Sequence, residues 1–319
     1  MIVENEFLTP EWPPALQHVD IVKTRFVLDF VSPCQLRPAD FLGIGRILRV
    51  VARQGLDARD VAAVRQQGLL FQPPLSDDPV ARRRFQKPAP AFVITMPVMQ
   101  EQLLDIGDRL ELEVLFLGNG IPFIHDFLRS LIHLGSIGLV AGEGCFEVTA
   151  VCSRQADFSE TLVWRQGDPL DNLTCVIQPL SWLLQRQQVP NIVALDFLTP
   201  TRLLVNGKPL RRPRFAQVFP FMLRRVTSML YAHSGVEVVD DPGHLLALAG
   251  QLEVLESRLR WQDWRSISAR QDLTIGGFVG EMQLAGNQLD ELYWVIAIAS
   301  LFGIGKAATY GAGRLLIHP

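Results

Sequence analysis

Residues 273–317, LTIGGFVGEMQLAGNQLDELYWVIAIASLFGIGKAATYGAGRLLI, read in order as a strand, a helix, a glycine-rich loop and a last short strand. Leu289, Leu292, Val295, Ile296 and Ala299 recur at helical spacing over 288–302, and residues 314–317 are apolar enough to return to a sheet. Upstream, residues 253–270 (EVLESRLRWQDWRSISAR) pair with 273–284 as two long strands. Residues 215–233 form a helix with Phe219, Leu223, Val226 and Leu230 on one face, and 192–205 a strand interrupted at Pro200. The order is β-α-β-β-α-β, the split βαβ or ferredoxin-like unit.

The first half repeats it. Residues 20–31 alternate, with Val22, Phe26, Leu28 and Phe30 on one face; 39–54 carry a helical stripe through Phe41, Leu42, Ile44, Leu48 and Val51. Strands follow at 91–98 and 109–117. A helix over 121–134 opens with Pro122 and closes at Gly135, and a strand covers 144–152. The expected fold is α+β: tandem ferredoxin-like (RRM-like, βαββαβ) domains at 1–155 and 190–319, with a linker at 156–189.

Composition narrows the function. The chain has 319 residues, 48% hydrophobic and 20% charged, with net charge −3 and pI about 6.1. These values exclude a disordered chain and one coated in basic charge for indiscriminate polyanion binding. Cys34, Cys145, Cys152 and Cys175 form no CxxC pair and match no zinc template, so they read as reduced thiols with no metal. The start MIVENEFLTP lacks the pattern of a signal peptide, and the apolar run at 293–301 is far below the ~20 residues that span a bilayer. A cytoplasmic, soluble protein without membrane partners is expected.

The most specific local feature is GIGKAATYGAGR, residues 303–314. A Walker A loop would need glycine at 300 and Ser/Thr at 307, where the chain has Ser300 and Ala307. A dinucleotide fingerprint here would follow a helix and leave no room for its ribose-binding acid. No nucleotide cofactor is therefore expected. Two readings remain: a clamp for a phosphodiester backbone, or a tight glycine-permitted crossover from helix to strand.

The segments FVGEMQLAG, then a helix, then GIGKAATYGAGRLLI resemble the C-terminal signature of CRISPR-associated endoribonucleases that process precursor CRISPR RNA, members of the RAMP superfamily. LDFLTPTRLLVNGKPLRRPRF, MLRRVTSMLYAH and RLRWQDWRSISARQ fall in that family's order, and FVLDFVSPCQLRPADFLGIGRILR, PAPAFVITMP and GDRLELEVLFLGNG fit more loosely. The resemblance implies tandem ferredoxin-like domains, CRISPR repeat RNA (hairpin or single-stranded) as ligand, other effector-complex subunits as partners, and metal-independent cleavage. In that chemistry a 2′-OH attacks the adjacent phosphate, leaving a 2′,3′-cyclic phosphate. The alternative is a non-catalytic subunit that holds the repeat hairpin.

Such cleavage needs a base, an acid and cations for the charge building on the phosphate. Many family members carry a catalytic histidine near the helix after the first strand; this chain has no histidine between residues 20 and 124. The expected catalytic set is His233, in the context MLYAH, with Lys306 and Tyr310 of the glycine loop. His125 and His133 share a helix face and are weaker candidates; Lys23 and Arg25 are possible cleft residues. RNA contacts are expected from Gly303, Gly305, Gly311, Gly313 and Arg314. Residues 202–225 hold seven cations and no acid, which adds Arg211, Arg212, Arg214, Arg224 and Arg225. Arg258, Arg260 and Arg270 interleave with Trp261 and Trp264 on one strand, a pattern that suits phosphates and stacked bases equally with a charged outer face. Arg82, Arg83, Arg84 and Lys87 form a third basic cluster, in a loop.

Overall fold

The alternation in the first strand sorts its side chains between two cores. In β1 (Asp20–Phe30), Val22, Phe26, Leu28 and Phe30 are buried among the helices of the first domain, whereas Ile21 is buried with residues of the second. The computed structural model describes residues 12–54, 68, 70–85, 87–140, 142–184, 189–265 and 274–318.

In the first domain β1 is followed by β2 (Cys34–Leu36), α1 (Pro38–Phe41), α2 (Ile44–Gln54) and α3 (Pro79–Arg84). Then come β3 (Phe92–Ile94), β4 (Gln102–Leu104), β5 (Arg109–Leu117), α4 (Ile124–Ile137), β6 (Phe146–Arg154) and β7 (Glu160–Arg165). The main sheet runs β3-β5-β1-β6-β7, antiparallel throughout. α2 and α4 pack on one face of it around Phe26, Phe92, Phe116 and Phe127.

Segment 156–189, read from sequence as a linker, carries secondary structure. β7 extends the first sheet beside β6, and β8 (Gln178–Pro179) pairs with β1 at Asp20 and Ile21 before α5 (Leu180–Leu184). Its alternation is weak because most of β7 faces solvent; only Trp164 is buried.

The second domain begins with β9 (Ile192–Thr201) and the small hairpin β10 (Leu204–Val205) and β11 (Lys208–Pro209). α6 (Phe215–Ser234), α7 (Pro242–Gln251), β12 (Glu253–Ser257), β13 (Arg260–Arg265), β14 (Thr274–Ala285), α8 (Leu289–Phe302) and β15 (Leu315–His318) follow. The sheet runs β12-β14-β9-β15, with β13 also on β14. In both sheets the first strand of the unit lies between its third and fourth, the ferredoxin-like order. The α+β tandem architecture expected from the sequence is the observed one.

Three local readings need correction. The long strand over 253–270 is two strands, broken where Leu259 turns into the core; residues 266–273 lie outside the described set. The helix placed at 121–134 starts three residues later, after a 3-10 turn at Gly118–Phe123, and ends at Gly138; Gly135 sits inside it, close against the Phe146 carbonyl. α7 was not expected, although Asp241 before Pro242 is a start signal: its carboxylate accepts from the Gly243 N–H at 2.8 Å.

Candidate nucleic-acid interface

The glycine-rich loop between α8 and β15 turns through Gly303, Gly305, Ala307, Gly311 and Gly313, all at positive φ. Its backbone donors face inward. Ile304 N–H donates to Gly313 O (3.0 Å), Gly313 N–H to Pro200 O (3.2 Å), and Lys306 N–H to Arg202 O (3.2 Å). The Thr199 hydroxyl donates to Gly311 O (2.9 Å) and accepts from the Arg314 N–H (2.8 Å). These N–H groups are committed to β9 and to the loop itself, so the loop is a crossover fastened to the sheet. What it extends outward is the exposed Lys306 side chain.

The basic segment after β9 continues from that point. Arg202, whose carbonyl receives Lys306 N–H, leads into the β10–β11 hairpin with exposed Lys208, then to exposed Arg211, Arg212 and Arg214. The Arg211 guanidinium lies over Trp261 of β13, 5.4 Å from the ring centroid. Exposed Arg260 neighbours that tryptophan. Lys306, the hairpin and the Arg211–Trp261 pair thus follow one another as exposed cations around an indole, whose N–H donates to Asp263 Oδ1 (2.9 Å) on the same side of β13, while Arg260 projects to the other side.

Arg225 is not one of these exposed cations. It is 6% exposed, and one terminal nitrogen donates to Phe302 O (3.2 Å) and to the Thr309 hydroxyl (3.2 Å). It therefore binds the last turn of α8 to the glycine loop from inside, and burial lowers its pKa to about 10. Its neighbour Arg224, about 100° further round α6, is exposed beside Pro220, Thr227, Phe85 and Glu237. Arg258 is exposed but paired with Glu256 at 2.6 Å. Arg270 lies outside the described residues. Of the loop cluster, Arg82 faces Asp77 at 3.8 Å, and Arg83 and Lys87 are exposed.

His233 is also inside. It is 3% exposed, with Nδ1 2.9 Å from Asn119 Oδ1 and Nε2 2.9 Å from Ala89 O, both on the first domain. Burial lowers its pKa to about 4, against the bond to Ala89, which raises it; the Arg225 charge lowers it further. This placement makes the ring an interdomain tie. Tyr310 is half-buried, edge-on to Phe92 at 6.0 Å and so close to Gly45 of α2 that a Cβ there would meet its ring; burial raises its pKa. His125 sits 3.3 Å from Asp126, and His133 is exposed on the same helix.

Sequence reasoning passed over α2, where Arg46, Arg49 and Arg53 fall at i, i+3 and i+7 next to the contact with Tyr310; that spacing was the available signal. It placed Lys23 and Arg25 in a cleft, and they do line one, with Glu113, Arg154 and Arg314. Glu113 and Arg154 were missed because only strand register brings them there.

Residues 195–315 match the family model of the CRISPR-associated endoribonuclease Cas6, and a second model, described as an N-terminal domain, matches residues 61–175. The first of these matches upholds the resemblance of this chain to CRISPR-associated repeat-RNA endoribonucleases. No curated protein sequence matches. Among solved structures, a Cas6 product complex superposes with TM-score 0.54 at 19% identity, over 93% of this chain and 100% of that one. Cas6 from Thermus thermophilus gives 0.51 at 17% identity, over 94% and 99%. A partial Cas6-RT-Cas1–Cas2 complex gives 0.59 at 12% identity, over 94% of this chain and 46% of that one. Among the described residues no helix is long and apolar enough to cross a membrane.

Proposed function

We propose that the chain binds CRISPR repeat RNA on the basic face of its second domain and cuts it without a metal ion. A ribose 2′-OH gives its proton to a water molecule and attacks the adjacent phosphorus, the bond to the 5′-oxygen breaks, and the products carry a 2′,3′-cyclic phosphate and a 5′-OH. The observation that carries this reading is the continuity of Lys306, the β10–β11 hairpin and the Arg211–Trp261 pair, a surface suited to phosphates and stacked bases. The family match over 195–315 and the likeness to a Cas6 product complex support repeat RNA as the ligand. The likeness to a Cas6-RT-Cas1–Cas2 complex supports other CRISPR proteins as partners.

In this reading Lys306 supplies positive charge to the phosphate as it becomes more negative in the transition state. Tyr310, a phenol that carries its proton at neutral pH, supplies a proton to the leaving oxygen. The withdrawal of His233 from the surface favours a second reading, in which the chain holds the repeat without cutting it.

Incubation with repeat-bearing RNA in EDTA decides between them. Cyclic-phosphate ends are expected; tight binding with intact RNA would leave only the second reading, and no binding at low salt would overturn both. Lys306→Ala is expected to weaken RNA binding and reduce the slope of log affinity against log salt by about 1. Arg211→Ala is expected to weaken binding more for unpaired than for paired RNA, measured by filter binding.

A further inference from the structure

Between the open face of the first sheet and the α8–β15 side of the second domain lies a cleft of about 460 Å³. Three alternate residues at the start of β1 face the second domain: Ile21 is sealed in its core, and Lys23 and Arg25 enter the cleft. Lys23 stands directly across from Arg154 on β6 and from Leu115 on β5, while Arg25 stands across from Glu113. Like charges directly opposed in a sheet are destabilising. The carboxylates nearby are engaged with the arginines. Arg154 pairs with Glu113 at 2.7 Å and with Glu160 at 3.0 Å, and Arg25 pairs with Glu111 and Glu160.

Two cations are left over. Among the described residues neither Lys23 nor Arg314 has a carboxylate within ion-pair distance. One Arg314 nitrogen donates to Met96 O at 3.1 Å from the far wall. Burial is the main influence on both groups and lowers both pKa values, with Glu113 opposing it. Desolvated cations on facing walls, with the one carboxylate that acts on both already paired to Arg154, suit an anion that enters from outside. The lining also holds Thr24, Thr95 and Ser300 and the paired Arg25, Glu113 and Arg154, while Tyr293, Leu301 and Leu316 give the second-domain side apolar surface; the volume falls within the roughly 300–1,000 Å³ of small-molecule sites. A bare phosphate would leave most of that space empty.

We propose that this cleft is a nucleotide site: Lys23 and Arg314 take a phosphate from opposite walls, and the Tyr293–Leu316 side takes the nucleoside. The nucleotide is either free or an unpaired residue of bound RNA; the phosphate and base chemistry is the same. The site uses neither a Walker loop nor a dinucleotide fingerprint, and it does not depend on the cleavage reading.

Calorimetric titration of the full chain with AMP, adenosine and inorganic phosphate tests the free form. AMP is expected to bind more tightly than either fragment, and Lys23→Met to weaken it at least tenfold without lowering the melting temperature, since methionine fills the space without the charge. Lys23→Arg is expected to retain binding. If an RNA nucleotide is the occupant, AMP does not bind, but Lys23→Met weakens a repeat RNA carrying an unpaired flank about tenfold and leaves the bare hairpin unchanged. Unchanged affinity of Lys23→Met for AMP and for the flanked RNA would overturn the proposal. AMP binding by a chain that does not bind the hairpin would uphold this site and overturn the proposed function alone.

Discussion

His233→Ala is expected to lower the unfolding free energy by about 3 kcal/mol, because it empties a buried site and leaves Ala89 O and Asn119 without the ring between the domains. The same residue makes the wild-type chain acid-sensitive. Its folded pKa is about 4 against an ordinary 6.5. The unfolded chain therefore takes up a proton near pH 6.5, and the folded chain resists until about pH 4. The contribution of the neutral ring is complete above pH 6.5 and is lost as the pH falls toward 4, a total of about 3 kcal/mol at 1.36 kcal/mol per unit. Urea unfolding at pH 7.5, 5.5 and 4.5 is expected to show this decline in the wild type and a much shallower one in His233→Gln. Parallel pH dependence in the two proteins would show that the ring is not the buried neutral group described.

Gly313→Ala is expected to cost about 3–5 kcal/mol and to abolish RNA binding on the face around Lys306. Gly313 sits at φ +60, and a Cβ would lie 1.8 Å from Ile304 O, the residue whose N–H bonds back to Gly313. The alanine could be accommodated only by breaking the pairing that closes the loop on β9. Gly207 is a control with the same backbone hand: φ is +76, but a Cβ there meets nothing within 4 Å. Gly207→Ala should cost only about 1–2 kcal/mol, the price of the left-handed conformation alone. Thermal unfolding of the two variants separates clash from conformation.

Much of the fold was legible because each main strand and helix buries one face. Val22, Phe26, Leu28 and Phe30 in β1, and Phe219, Leu223, Val226 and Leu230 in α6, are the residues the packing uses. The site was less legible, for three physical reasons. A charge count treats Arg224 and Arg225 alike, but helix phase does not: Arg225 lies three residues after Met222 and four before Met229, in the buried stripe. His233 continues that stripe three residues beyond Leu230. The opposition of Lys23 and Arg154 is a matter of register between strands more than a hundred residues apart, which no local pattern encodes.

The return of β8 to β1 bears on how RNA would be accommodated. Gln178 pairs with Ile21, bonds to the Ala156 N–H at 2.6 Å and to Arg154 O at 3.1 Å, and is 3% exposed. The chain is thus stitched to the first sheet shortly before the second domain begins, and His233 ties the second domain to Asn119 and Ala89 of the first. Domains fastened in this way are expected to move little against each other when a ligand binds, so that in the proposed complex the ordering cost falls mainly on the flexibility of the RNA.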